Sequence, residues 1–453
     1  MSDQGDSGLP PDGGRRRDRR PSLRCGSQGL FERSPCQEEM FRLLLGDEGA
    51  GNRNQAPKGM TARMIPREMQ SKLTSLSQVY PVVTVMGPRQ SGKTTLVRMT
   101  FPNHAYVSLE NLDMREMAQR DPHGFLRQYH APVILDEIQR VPSLLSYIQT
   151  QVDEDRHMGQ YILTGSHQPS LGEGVSQSLA GRTGVLCLLP LSMRELKQAG
   201  HVLERDEYLY QGFMPRLYDT ALTAEDLYRD YFATYVERDV RQMLNIRNMS
   251  AFELFVKLLA GRVGQLVNLT SLSGDVGVSV STLRGWLSVL EASHLVFCLP
   301  CYYENFGKRL TKSHKLYFTE VGLATWLLGI TSPEQVSRDP LLGGLFENLV
   351  VMEALKAQLN VGKQPNLYFF RDNSGLEVDL LVQLPQRRLL PLEIKSAFTW
   401  SSDFCRNLIR VRKLSEQFLP GKVVYSGTLT PTIQDIAFVH FRDVASIVTP
   451  AAL

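Results

Sequence analysis

The sequence predicts an α/β chain: a parallel P-loop NTPase sheet, then a winged-helix domain, then a C-terminal α/β nuclease-like domain. Three observations predict it. An apolar, β-branched run, Val82-Val83-Thr84-Val85-Met86, feeds into Gly87-Pro88-Arg89-Gln90-Ser91-Gly92-Lys93-Thr94-Thr95, and a helical pattern follows. A second apolar run, Pro132-Val133-Ile134-Leu135, ends in the carboxylates Asp136 and Glu137. Downstream, Gly375-Leu376-Glu377-Val378-Asp379 leads through a turn to Leu392-Glu393-Ile394-Lys395.

The first motif reads as a phosphate cradle. Gly87 and Gly92 let the backbone wrap an anion, so that the N–H groups of Pro88–Thr95 (Pro88 excepted) and the helix N-terminus point at phosphates. Lys93 adds a charge toward the β- and γ-phosphates, and the Thr94 hydroxyl is placed to ligate Mg²⁺. Asp136 would hold the same ion through water, and Glu137 would orient and activate the attacking water. Gln160-Tyr161-Ile162-Leu163-Thr164-Gly165-Ser166 is a further strand, with Ser166 placed to sense the γ-phosphate. Ala105-Tyr106-Val107-Ser108-Leu109-Glu110 is another strand of the same sheet. Strands alternating with helical patterns give a parallel sheet covered on both faces, with ligands at the strand carboxyl ends. No Asn-Lys-x-Asp or Thr-Lys-x-Asp guanine-reading tetrapeptide occurs, so ATP is the expected nucleotide, and Asp136-Glu137 favours its hydrolysis.

The 453 residues allow about three domains. With 42% hydrophobic and 21% charged residues the composition is that of a globular chain, and a net charge of +3 permits nucleic acid without arguing for it. Six scattered cysteines make no disulfide framework, which points to a reducing, cytoplasmic setting. Cys298-Leu299-Pro300-Cys301 has no companion pair and lies in a strand-like run, so it reads as core and not as a metal site. No apolar run approaches 18 residues, and no membrane span is expected.

Residues 1–59, with Arg15-Arg16-Arg17-Asp18-Arg19-Arg20, read as a disordered tail or as a non-native extension upstream of Met60. Mass spectrometry of the native protein tests the second reading, which a peptide from within Arg20 to Arg33 would sink. Residues 60–200 form the nucleotide domain and 201–251 a helical connector with an aromatic stripe, Tyr228, Tyr231, Phe232 and Tyr235, read as core. Glu237-Arg238-Asp239 reads as an ion-pair network. Residues 252–320 read as a winged helix: Phe252–Leu259, Leu269–Asp275 and Thr282–Ser293 are its helices, and Leu295–Tyr303 and Lys315–Phe318 its strands. Lys308–His314 supplies a basic wing. The outward face of the third helix offers Ser281, Arg284 and Ser288, too few donors for groove reading, so DNA contact and protein packing stay open for this unit.

Residues 321–453 carry the second charged constellation. Period two groups Glu377, Asp379 and Leu381 on one strand face, and Val378, Leu380 and Val382 on the other. On the partner strand Glu393 and Lys395 share a face while Leu392 and Ile394 point to the core. A helix through Leu345-Phe346-Glu347-Asn348 brings Glu347 to the same place. Glu347, Asp379 and Glu393 would hold a Mg²⁺ that acidifies water, and Lys395 would position that water or offset phosphate charge. A hairpin with a solvated charged face is the alternative.

Together with Met64-Ile65-Pro66-Arg67, Leu163-Thr164-Gly165-Ser166 and Ser178-Leu179-Ala180-Gly181-Arg182, the nucleotide motifs resemble those of one large prokaryotic family of AAA-like ATPases. Its C-terminal domain of unknown function is matched by Thr234-Tyr235-Val236-Glu237-Arg238-Asp239, Leu345-Phe346-Glu347-Asn348 and Leu392-Glu393-Ile394-Lys395. The resemblance runs from about residue 60 to the end. It implies an ATPase core, a winged helix and a PD-(D/E)xK-nuclease-like end. It also makes Arg182 a candidate γ-phosphate or trans-acting arginine, alongside a structural reading of that residue. The chain departs from the pattern around the wing, at Pro300-Cys301, Ser313-His314-Lys315 and Glu320-Val321-Gly322-Leu323. The expected function is an ATP- and Mg²⁺-dependent ATPase controlling a DNA-acting, nuclease-like module. The rival is a nucleotide-dependent switch or scaffold with an inactive, protein-binding C-terminal domain. DNA is the candidate macromolecular partner, and a homo-oligomer is allowed.

Overall fold

The computed structural model describes residues 64–166, 175, 178–234, 248–302 and 314–449. The tail through residue 59, Glu237-Arg238-Asp239 and the basic run 308–313 lie outside the described residues.

The first sheet consists of β1 (Val82–Gly87), β2 (Ala105–Ser108), β3 (Val133–Asp136), β4 (Tyr161–Ser166) and β5 (Thr183–Cys187). Its order is β2-β3-β4-β1-β5, and every pairing is parallel. The apolar runs are continuous because both faces are covered. Val82, Met86, Leu135 and Leu163 enter one core, and Val83, Val85, Ile134 and Ile162 the other. Each such side chain, fully buried, contributes about 1.5–3 kcal/mol of transfer free energy. β5 was not among the expected strands. Its Thr183-Gly184-Val185-Leu186-Cys187 is short, half-exposed and lacks the apolar density of its neighbours. Helix α1 (Lys93–Thr100) starts directly from the glycine loop after β1.

The chain then passes through α2 (Met193–Gln198) and α3 (Arg216–Asp219). Next come α4 (Met249–Ala260), α5 (Leu269–Val276) and α6 (Val280–Ala292). Asn248, Asn268 and Ser279 cap these last three helices, and the Ser279 cap starts α6 two residues before the expected Thr282. Trp286 of α6 packs on Phe252 and Phe255 of α4. An antiparallel ribbon follows, β6 (Val296–Leu299) against β7 (Lys315–Phe318).

The last sheet contains β8 (Leu367–Arg371), β9 (Glu377–Gln383), β10 (Leu389–Lys395), β11 (Lys422–Tyr425), β12 (Thr432–Ile433) and β13 (Ile436–His440), in the order β12-β13-β11-β10-β9-β8. The pairs β8–β9, β9–β10 and β12–β13 are antiparallel, while β10–β11 and β11–β13 are parallel. A 19-residue helix, α7 (Leu342–Asn360), packs on this sheet and on β7. One continuous apolar core takes in residues from α2, α4, α6, the ribbon, α7 and β9–β11. The expected connector, winged-helix and C-terminal segments therefore share a core.

Strict alternation in β9 fails. Tyr368 pairs with Leu381 and Phe370 with Val378, so Phe369 faces both Asp379 and Leu380, a β-bulge. Val378 and Leu381 consequently pack in one core, and Leu380 and Val382 in the other with α7. This corrects the expected grouping of Val378, Leu380 and Val382. The extra residue rotates the strand at Asp379.

Candidate functional site

The loop after β1 has the backbone the motif requires. A Cβ on Gly87, at φ +150°, would lie 2.1 Å from the Leu188 carbonyl oxygen, and Gly92 takes φ +92°. Gln90 also has positive φ, and the buried Ser91 hydroxyl donates to the Pro88 carbonyl at 3.0 Å. Pro88 is buried beneath the loop, whereas Gln90 and Thr95 are exposed at its rim. Lys93 is the first residue of α1. Its ammonium donates to the carbonyls of Gly87 (3.1 Å) and Pro88 (2.8 Å). Burial lowers its pKa to about 8, against the pull of Glu137 and Asp136.

Asp136 closes β3 at the centre of a hydroxyl cluster. Thr94 Oγ1 donates to it at 3.1 Å and Tyr106 at 2.8 Å, and Thr164 also donates to it. Glu137 follows in left-handed backbone, φ 59°. Its N–H reaches Thr164 Oγ1 at 3.4 Å, Gln139 donates to its carboxylate, and burial raises its pKa. Because β4 lies beside β1, Ser166 is in register with Gly87. The Ser166 Oγ is buried with no hydrogen-bond partner among the described residues. A cavity of about 360 Å³ joins Arg89, Lys93, Thr94 and Glu137 to Pro215 and to Arg216 and Asp219 of α3. The cradle of loop N–H groups suits phosphates, and the hard oxygens of Thr94 and Asp136 suit Mg²⁺.

Arg182 is elsewhere. It precedes β5, at the amino edge of a parallel sheet whose carboxyl edge carries the loop, and it pairs with Asp153 through two bonds of 2.6 and 2.8 Å. Within this chain it takes the structural role, and the γ-phosphate reading is corrected. Three contributors escaped sequence reasoning. Tyr106 and Thr164 sit in ordinary strand positions, and the α3 segment is remote in sequence; a polar residue near a strand's carboxyl end was the available signal for the first two.

The downstream constellation comes together with one unforeseen member. Pairing of β9 with β10 ends at Leu380–Leu392, and beyond it the Asp379 carboxylate accepts from the Ile394 N–H at 2.8 Å. Lys395 lies 2.7 Å from Glu393 and 3.8 Å from Asp379. Leu392 and Ile394 enter the core beneath α7, as their spacing predicts. Glu347 on α7 instead meets Lys315 of β7 at 2.9 Å and the Tyr317 hydroxyl at 2.6 Å. Lys315 also lies 2.7 Å from Glu377 and 3.8 Å from Asp379. Burial, with Asp379 adding, pushes the carboxyls of Glu347 and Glu393 up to about 7. Among the described residues no group of three or more His, Cys, Asp or Glu is arranged to hold a metal ion. The expected metal set of Glu347, Asp379 and Glu393 is corrected accordingly: an ammonium stands among the carboxylates.

The chain matches an AAA domain over residues 79–197. Two domains of unknown function follow, DUF8612 over 203–334 and DUF4143 over 342–444. The uncharacterized protein Rv2008c of Mycobacterium tuberculosis is 32% identical over 329 residues, which cover 71% of this chain and 72% of that protein. The chain belongs to this family of AAA-domain proteins. An uncharacterized protein of Haemophilus influenzae is 23% identical over 342 residues, covering 67% of this AAA-domain protein and 82% of its relative. Among solved structures, the Walker-type ATPase paby2304 of Pyrococcus abyssi covers 60% of the chain and 99% of itself, at 14% identity and a TM-score of 0.38. The AAA-domain protein is thus an AAA-like P-loop ATPase in its first half. No described helix of it is long and apolar enough to cross a membrane.

Proposed function

We propose that the protein binds ATP with Mg²⁺ and hydrolyses it, and that this cycle controls a C-terminal module acting on DNA. The observation that carries the first part is the meeting of Lys93, Thr94 and Glu137 in one cavity, with Asp136 accepting from the Thr94 hydroxyl at 3.1 Å. Lys93 and the N–H groups of residues 89–95 would hold the β- and γ-phosphates. Thr94 and Asp136 would hold Mg²⁺, which supplies charge neutralisation on the phosphates when bound. Glu137 takes a proton from water, with its backbone fixed through Thr164, and Ser166 donates toward the γ-phosphate. The module reading rests on Asp379, Glu393 and Lys395 with Glu347 nearby, and on a three-helix unit with a ribbon in the winged-helix order. The second reading, a switch or scaffold whose C-terminal half binds protein, is favoured by the Lys315 ammonium among those carboxylates.

Replacing Lys93 with Ala is expected to weaken ATP binding about 10- to 100-fold, the value of charge-assisted bonds to phosphate, as read by calorimetry. Unchanged affinity would remove Lys93 from the site. Incubation of plasmid and single-stranded DNA with Mg²⁺ or Mn²⁺, with and without ATP, beside Glu393→Ala, tests the module. Cutting lost in that variant supports the nuclease reading, and no cutting in any condition supports the scaffold.

A further inference from the structure

Asp219 closes α3 and lines the same cavity as Lys93, Thr94 and Glu137. Its Oδ1 is buried with no hydrogen-bond partner among the described residues, and none of their cations forms an ion pair with its carboxylate. Burial raises its pKa, with His201 pulling the other way. Arg216, one turn earlier, lines the cavity too but makes no ion pair with it. The segment that carries Asp219 is firmly held. Leu217 and Tyr218 are buried, the Tyr218 hydroxyl donates to the Gly212 carbonyl at 2.6 Å, and the Thr220 hydroxyl donates to the Arg216 carbonyl at 2.7 Å. Pro215, at the head of this segment, abuts the phosphate loop: a Cβ on Gly92 would lie 3.8 Å from its Cγ. A carboxylate is thus fixed beside that loop with no donor of the described chain to satisfy it. The other two carboxylates of the site differ. Asp136 accepts from the hydroxyls of Thr94, Tyr106 and Thr164, and Glu137 from the Gln139 amide.

An acceptor removed from water without a donor is costly, and the cost is offset when a ligand brings one. Within ATP every donor lies on the nucleoside, as the ribose hydroxyls and the 6-amino group of the base. The triphosphate offers only acceptors and negative charge, which a carboxylate repels. On the reading of this cavity as an ATP site, we propose that Asp219 is its specificity-determining residue, accepting a hydrogen bond from a donor of the nucleoside. Lys93 and the loop N–H groups then hold one end of the nucleotide and Asp219 the other. A site built to accept from a donor rejects the analogue lacking it, because the carboxylate is left unpaired. Where the donor is the 6-amino group, a 6-oxo purine sets its carbonyl oxygen against the carboxylate, and the repulsion adds to the lost bond.

The test is calorimetric titration of the full chain, with Mg²⁺, by ATP, inosine triphosphate, 2′-deoxy-ATP and 3′-deoxy-ATP, repeated on Asp219→Ala. The parent should bind at least one analogue about 10- to 100-fold more weakly than ATP, the value of a hydrogen bond to a charged group. A deficit confined to inosine triphosphate assigns the bond to the base, and one confined to the deoxy analogues assigns it to the ribose. Asp219→Ala should bind ATP as weakly as the parent binds that analogue, and should no longer distinguish the two. Equal affinity of the parent for all four nucleotides would overturn the assignment while leaving the ATP site standing. So would discrimination that survives in Asp219→Ala, or an equal loss for all four in that variant. Absence of binding by any of them to the parent would remove the ATP reading itself. Circular dichroism checks the fold of the variant, and the parent's analogue series refutes the assignment without it.

Discussion

Glu137→Gln is expected to bind ATP as the parent does and to turn it over about 10²- to 10⁴-fold more slowly, the usual contribution of a positioned general base. Gln is nearly isosteric, so the side chain can still accept from Gln139, and the left-handed backbone held near Thr164 is undisturbed. What is lost is the ability to take a proton. The Glu137 carboxyl is already suited to that task, because burial lifts its pKa above the ordinary carboxylate range while Lys93 keeps it ionisable. Calorimetry with ATP and phosphate release under single-turnover conditions separate the two effects. Parental turnover would assign the base elsewhere; lost binding would make Glu137 a structural residue of the loop.

The parts of this site that the sequence displays are those whose chemistry is local. The glycine loop, Lys93 and Thr94 lie within one strand-turn-helix, and Asp136-Glu137 ends a strand too apolar to be anything but buried. The succession of α4–α6 and the ribbon is equally local, since caps and apolar periodicity mark each helix. What stays hidden depends on register or on distant chain. The bulge at Asp379 and Leu380 cannot be read from alternation, because alternation assumes no extra residue. Lys315 starts the strand Lys315-Leu316-Tyr317-Phe318, which reads equally well with the lysine at its solvated end. Its position among Glu347, Glu377 and Asp379 comes from α7 and β9, which follow it by dozens of residues. The Arg182 motif was legible, but its pairing with Asp153 on a neighbouring helix was not.

Arg67→Ala is expected to destabilise the protein by about 3–5 kcal/mol, the cost of breaking a buried ion pair from one side, and to weaken ATP binding as well. The guanidinium makes three bonds in three directions: Nε to Glu195 at 3.0 Å, one terminal nitrogen to the Ser91 carbonyl at 2.6 Å, and the other to the Leu189 carbonyl at 2.7 Å. Glu195 is wholly buried and also accepts from the N–H groups of Glu68 and Ser192 at 2.8 Å, so it would be left charged with only those two donors. Ser91 belongs to the phosphate loop itself, and loss of its carbonyl partner frees the turn before Gly92. Lysine should not restore either property, because a point charge cannot bridge three acceptors in a plane. The same junction continues into α7. Glu353 accepts from the Met193 N–H at 2.8 Å, and Lys356 donates to the Leu191 carbonyl at 2.8 Å while lying 3.8 Å over the Phe213 ring. Along that helix Glu353 and Glu347 are six residues apart, a rise of about 9 Å. A rigid element therefore joins the holder of the phosphate loop to the Lys315 cluster. Urea unfolding with and without ATP measures both expectations for Arg67→Ala. A stability loss with parental ATP affinity would make Arg67 a strut alone; loss of both, unrepaired by Arg67→Lys, would make it the residue that sets the loop.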